Sequence, residues 1–213
     1  DPAYEELAVK FFEHFVWIAA SMDHVGDQDD ELWDEADGFF YDLLRLPDGR
    51  CQRVRVRSMA GLLPLCASTV IGPHTLKGAD RLRRRLAWVV TERRVLLKTT
   101  APPDKPGDGG RHLLAILDET KLRRVLARML DEAEFLGPFG IRSLSRNHLE
   151  HPYRLWVDGR EYRVAYEPAE SRDGLFGGNA NWRGPIWMPV NLLIVRALAN
   201  LYAYYGDDFR VEC

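Results

Sequence analysis

Apolar positions recur at helical spacing in five stretches and alternate with period two in two others, which predicts helices joined by hairpins and loops. Leu7, Phe11, Phe12, Phe15, Ile18 and Ala19 form one face of a helix over 1–22, with Asp1 as its capping acid and Pro2 at its first position. Residues 40–58 read as a hairpin, because Leu44-Arg45-Leu46 and Val54-Arg55-Val56-Arg57 alternate around Pro47-Asp48-Gly49. Arg53, Arg55 and Arg57 then share one side of it, read as a solvated strand face. A second buried helix is expected over 58–71 (Met59, Leu62, Leu63, Cys66, Val70), kinked at Pro64. A third, over 76–97, carries a solvated basic face of Arg81, Arg83, Arg84, Arg85 and Arg93. The Pro- and Gly-rich run 101–110 is a surface loop, and 111–117 a short strand. Asp118 caps a fourth helix over 118–134, with Leu122, Val125, Leu126, Met129 and Leu130 inward. A second hairpin spans 153–166 about Asp158-Gly159, and a fifth helix spans 191–205 and stops at Gly206.

Composition narrows the function classes. With 213 residues, 46% hydrophobic, 29% charged and a net charge of −3, the chain has enough apolar content for one substantial core. No basic surplus calls for a nucleic-acid partner, and no apolar run approaches the roughly 20 residues that span a bilayer, so neither nucleic acid nor membrane is expected. Cys51, Cys66 and Cys213 follow neither a disulfide nor a zinc pattern, and the acidic opening residues do not read as a secretion signal, so a cytoplasmic location is expected. The acidic run 26–34 lacks the glycine and terminal glutamate of a calcium loop and reads as solvated. No metal and no organic cofactor are expected. A start at Asp1 without methionine suggests a piece of a longer chain.

Candidate chemistry concentrates in Gly177-Gly178-Asn179-Ala180-Asn181-Trp182-Arg183-Gly184-Pro185-Ile186-Trp187-Met188-Pro189-Val190-Asn191. Glycines allow tight turns, prolines fix φ, and two tryptophans with an arginine and amides are planted where a helix begins. Such a loop suits a sugar, since indole stacks on the apolar face of a pyranose while guanidinium and amide groups bond its hydroxyls. The same residues also suit packing, with the tryptophans between helices and Arg183 pairing a carboxylate.

The run Trp182-Arg183-Gly184-Pro185-Ile186-Trp187 resembles the W-R-G-P-[IV]-W signature of glycoside hydrolase family 63, which includes processing α-glucosidase I and mannosylglycerate hydrolases. Phe139-Gly140-Ile141-Arg142-Ser143-Leu144 resembles the family's second block, a loop at the rim of its active site, and Trp33-Asp34-Glu35 through Asp42 a less specific third. The resemblance implies a mainly α fold: a partial (α/α)6 toroid, or helical barrel, with small β-hairpin insertions. Residues 1–213 would be a single domain forming an arc of the catalytic domain. It implies an enzyme of carbohydrate metabolism, an α-glucosidase-like glycosidase that hydrolyses α-glycosidic bonds with inversion, acting on an oligosaccharide or small glycoside. This chain would supply the sugar-binding loops, while the general acid and base lie outside it, leaving the chain inactive alone. Trp182, Arg183, Trp187, Asn191 and Arg142 are assigned to the sugar pocket, with Trp33 and Asp34 as further lining. Glu167, Glu170 and Asp173 precede the signature but match no family motif, so the catalytic residues are not assigned. The alternatives are a non-catalytic carbohydrate-binding or scaffold protein, and a trehalase- or glucoamylase-like hydrolase.

Overall fold

The computed structural model describes residues 2–23, 31–98, 100–169 and 181–212. The Asp1 cap, residues 26–30 of the acidic run, Glu170, Asp173, residues 177–180 of the signature stretch and Cys213 lie outside the described residues. In chain order the elements are α1 (Pro2–Asp23), β1 (Trp33–Asp34), β2 (Phe39–Phe40), β3 (Asp42–Arg45), β4 (Cys51–Val54), α2 (Leu63–Cys66), β5 (Ser68–Ile71), α3 (Pro73–Lys77) and α4 (Asp80–Glu92). There follow β6 (His112–Ala115), α5 (Glu119–Met129), β7 (Leu136–Gly137), β8 (Gly140–Ile141), β9 (Tyr153–Val157), β10 (Arg160–Val164) and α6 (Met188–Tyr205). Short 3-10 turns cover Met59–Leu62, Arg94–Leu97, Asp108–Gly110 and Arg146–Leu149.

The expected mainly α, partial (α/α)6 toroid is overturned. Among the described residues six α-helices, two of them only four and five residues long, are interspersed with five separate two-stranded antiparallel sheets. The largest departure lies at 58–71. There Ser58 caps a 3-10 turn, its Oγ accepting from the Ala60 N–H at 3.3 Å, and α2 lasts only four residues around Pro64, which has no N–H to give. The β-branched run Thr69-Val70-Ile71 then goes extended and pairs with β6, from Ser68↔Ala115 to Ile71↔His112. The third expected helix is likewise broken, because Gly78 closes α3 before α4 restarts at Asp80. Both expected hairpins form, as β3–β4 and β9–β10, and α1 and α6 run close to their expected bounds.

The chain divides into two compact units: Asp1–Leu32, Pro64–Leu122 and Val195–Arg210 in one, Trp33–Leu63, Arg123–Ile194 and Val211–Cys213 in the other. The first has a core of Phe12 and Val16 from α1, Leu82 and Val89 from α4, and Leu114 from β6. The core takes only part of the expected face of α1: Phe12 and Ala19 of that face are buried, with Phe15 packed beside them and Val16 added, while Leu7, Phe11 and Ile18 are exposed. Arg85 on the basic side of α4 pairs with Glu13 at 2.6 Å, so that side is not wholly solvated.

The second unit is built on Phe39 and Phe135, both fully buried with ring centroids 5.7 Å apart, together with Met59, Leu62 and Leu144. The arginines read as a solvated strand face are tied to carboxylates. Arg53 and Arg55 meet Asp34 at 3.1 and 2.8 Å, and Arg57 meets Asp37 at 2.9 Å and Glu134 at 2.5 Å. Arg128 joins the same two acids, and Ser145 Oγ donates to Glu134. Buried charge survives here because each carboxylate has several donors.

Candidate functional site

The signature loop and the Gly140 block meet along one backbone strip in the second unit. After the β7–β8 turn the chain runs through Arg142, Ser143 and Leu144 with partners on both sides. On one side the Ser143 N–H donates to Pro185 O at 3.0 Å and the Gly184 N–H donates to Ser143 Oγ at 2.9 Å. On the other, the Met59 N–H donates to Ser143 O at 2.8 Å and the Ser145 N–H to Arg57 O at 2.8 Å. Gly140 and Gly184 both sit at φ 137°, a region that favours glycine. A Cβ at Gly184 would stand 2.4 Å from the Tyr166 ring, and one at Gly140 2.8 Å from Asn191 Oδ1.

The assigned polar residues are engaged with the protein itself. Asn191, in the first turn of α6, accepts from the Ile141 N–H at 2.7 Å and donates to Ile141 O and Trp187 O at 3.0 Å each. Its amide thus serves the 140–141 backbone as a neighbouring strand would. Arg142 donates to the carbonyls of Glu132, Glu134 and Leu136, closing the turn beyond α5. Arg183 is fully buried and meets Glu167 at 2.7 Å, while the Glu167 N–H returns a bond to Arg183 O at 2.6 Å. The packing reading of Arg183, a guanidinium paired to a carboxylate, describes this arrangement.

The tryptophans are placed differently. Trp182 is 41% exposed and Trp187 half-buried, with their ring centroids 4.4 Å apart at 51°. Trp187 Nε1 donates to Asn181 O at 2.8 Å, which fixes its ring and leaves the Trp182 indole as the open face. Trp33 and Asp34, by contrast, are buried in the β1–β2 hairpin. Trp33 Nε1 donates to Glu35 at 2.6 Å, and its ring lies 5.5 Å from the Arg124 guanidinium. Burial pushes the Asp34 carboxyl up, but the Asp37 N–H and the Arg55 and Arg53 guanidinium groups outweigh it and hold the acid below its ordinary range. The structure therefore gathers Arg142, Trp182, Arg183, Trp187 and Asn191 about one strip, and sets Trp33 and Asp34 in a hairpin of their own.

Reasoning from sequence missed two rings. Phe139, at the tip of the β7–β8 turn, is 85% exposed and, with Tyr166 and Ile186, lines a cleft of about 440 Å³ beside Gly184 and Pro185. The available signal was an aromatic between two turn formers, Pro138-Phe139-Gly140. Chemically the site offers flat apolar surface, held by polar groups already in use, which suits the C–H face of a sugar ring. Among the described residues no group of His, Cys, Asp and Glu is arranged to hold a metal ion. No helix among them is long and apolar enough to cross a membrane.

Residues 112–211, which include both specific blocks, match the mannosylglycerate hydrolase MGH1-like glycoside hydrolase domain. Over that stretch, just under half of its length, the chain is similar to that domain. The resemblance first read in the Trp182 and Gly140 blocks holds at that level. The chain is also 45% identical over 225 residues to an uncharacterized protein of Saccharomyces cerevisiae, YMR196W. That alignment takes in all of this chain and 21% of the yeast protein, so the chain spans about a fifth of that relative's length.

Proposed function

We infer that this chain carries sugar-contacting loops of a glycoside hydrolase that cleaves α-glycosidic bonds with inversion, in the manner of an α-glucosidase. The observation that carries the reading is the Trp182–Trp187 pair: two indoles in contact, one of them open, standing where α6 begins within the matched glycoside hydrolase stretch. In this reading Trp182 is the platform for a sugar ring, Trp187 backs it, and Phe139 and Tyr166 extend the apolar surface. Arg142, Arg183 and Asn191 are positioning residues that fix the strip from which those rings project.

Inverting hydrolysis needs a carboxylic acid and a carboxylate about 6.5–9.5 Å apart, with a water between the base and the anomeric carbon. Glu167, beside the signature loop, is committed to Arg183. In this reading the acid and the base lie beyond this chain, as the resemblance to family 63 implies, and the chain alone is expected to bind sugar without hydrolysing it.

The test is Trp182→Ala in the longest natural form of the protein, assayed on α-glucosides and on mannosylglycerate. The exposed two-fifths of an indole corresponds to about 100 Å² of apolar surface, worth about 2 kcal/mol if a sugar covers it fully. A drop in kcat/KM of about tenfold or more, with unfolding unchanged, is expected. Unchanged kcat and KM would remove Trp182 from the site. Sugar binding with no turnover of any α-glycoside would favour a binding role over an enzyme.

A further inference from the structure

We propose that the first compact unit holds a second saccharide-binding site, in a cleft of about 840 Å³ formed by the segment after α4, the start of α5 and the end of α6. Its volume falls in the range of small-molecule sites, roughly 300–1,000 Å³. Three cations line it, Arg94, Lys98 and Lys105, and three acids, Asp104, Asp118 and Glu119. Equal numbers of each sign make the cleft neutral, which disfavours a strongly anionic or cationic ligand. Asp118 and Glu119 stand at the start of α5, where the helix dipole already matches negative charge, and Asp118 Oδ1 accepts the Lys121 N–H at 2.8 Å. What these acids offer a ligand is acceptor lone pairs, while the lysines and the arginine offer donors.

The rest of the lining is flat and apolar. Tyr204 and Tyr205 pack edge to face at 4.8 Å, and Phe209 stacks behind Tyr205 at 4.4 Å. Tyr204 is fixed by its hydroxyl, which donates to Lys105 O at 3.1 Å, and Pro102, Pro103 and Val95 complete the apolar wall. Aromatic and proline faces, ringed by donors and acceptors without net charge, match one ligand chemistry: a neutral polyhydroxylated ring, apolar on its faces and hydroxylated at its rim. This cleft and the Trp182 loop draw their residues from different compact units, so the proposal does not depend on the reading of that loop.

The experiment is calorimetric titration of the full chain carrying Trp182→Ala with methyl α-glucoside and methyl α-mannoside, which removes the first platform from the signal. Saturable binding of at least one glycoside is expected. It should weaken about tenfold with Asp104→Ala, an exposed position, the scale of losing a bond to a charged group, and by a similar factor with Tyr205→Ala, which removes the aromatic face. No saturable binding in the Trp182→Ala chain would overturn the proposal, as would binding indifferent to both substitutions. Titration of inorganic phosphate or glycine in place of the sugars is the remaining arm. Either of these binding where the glycosides do not, with sensitivity to Asp104→Ala, would also overturn it.

Discussion

The Arg183–Glu167 pair gives the sharpest quantitative expectation. Arg183 is 1% exposed at its side chain and Glu167 10%, with their charges 2.7 Å apart. Arg183→Met takes from the buried Glu167 carboxylate its contact at 2.7 Å, and Glu167→Leu takes the same contact from the Arg183 guanidinium. Breaking a buried pair from either side costs about 3–5 kcal/mol, whereas replacing both members with apolar groups of similar volume comes near to neutral. The double variant is therefore expected to be more stable than either single one, with a coupling of about 2 kcal/mol or more. Urea unfolding followed by tryptophan fluorescence reads it directly, because Trp182 adjoins Arg183 and reports on the loop the pair holds. Additive single losses, or singles costing under about 1 kcal/mol, would refute the reasoning and return Arg183 to the surface of the site.

Other expectations follow from the same unit. Gly184→Ala places a Cβ 2.4 Å from the Tyr166 ring at a φ that alanine disfavours, and a loss of about 2–4 kcal/mol is expected from the unfolding midpoint. Burial pushes the His148 imidazole below its ordinary 6.5, and the ring is held neutral by the Arg57 N–H donating to Nε2 at 2.9 Å. The unfolded chain then binds the proton first, so stability should fall as pH drops below about 6.5, and a Tm series from pH 7.5 to 5.5 should lose that slope in His148→Gln. Tyr41 is pushed up to about 12 by burial and by its bond to Asp37, partly opposed by Arg57. Its proton stays on in the folded chain after the unfolded chain has lost it, so stability should decline as pH rises from about 10 towards 12. Absorbance titration should show a late-ionising phenol whose step Tyr41→Phe removes.

Sequence pattern specified the hairpins because their information is local: period-two alternation and an Asp-Gly or Pro-Asp-Gly turn suffice to pair β3 with β4 and β9 with β10. It specified α6 for a similar reason, an apolar period closed by Gly206. The segment 58–71 was misread because its apolar spacing fits a helix, while what decides its form is a proline and a partner strand over forty residues away at β6. The arginines of the first hairpin were misread for the same reason, since Asp34, Asp37 and Glu134 become their neighbours only in the folded unit. At the site, sequence located the loop and its tryptophans. Residue type alone could not tell a guanidinium reaching for a ligand from one reaching for Glu167, nor an amide facing a sugar from one completing the Ile141 backbone.

The doubly bonded strip at Ser143 bears on what the signature means wherever it occurs. Its backbone is bonded on both flanks, the glycines beside it, Gly140 and Gly184, have no room for a side chain, and the Asn191 amide is spent on the 140–141 backbone. A saturation scan should find these positions as intolerant as any reacting group, although their work is to hold the strip and not to touch a reacting atom. Invariance in such a block would then mark where two loops are bonded side by side, and the diagnostic letters of the signature would record architecture as much as chemistry. Tolerance at Trp182 and Phe139, where the constraint comes from outside the protein, would be the feature that varies with the ligand.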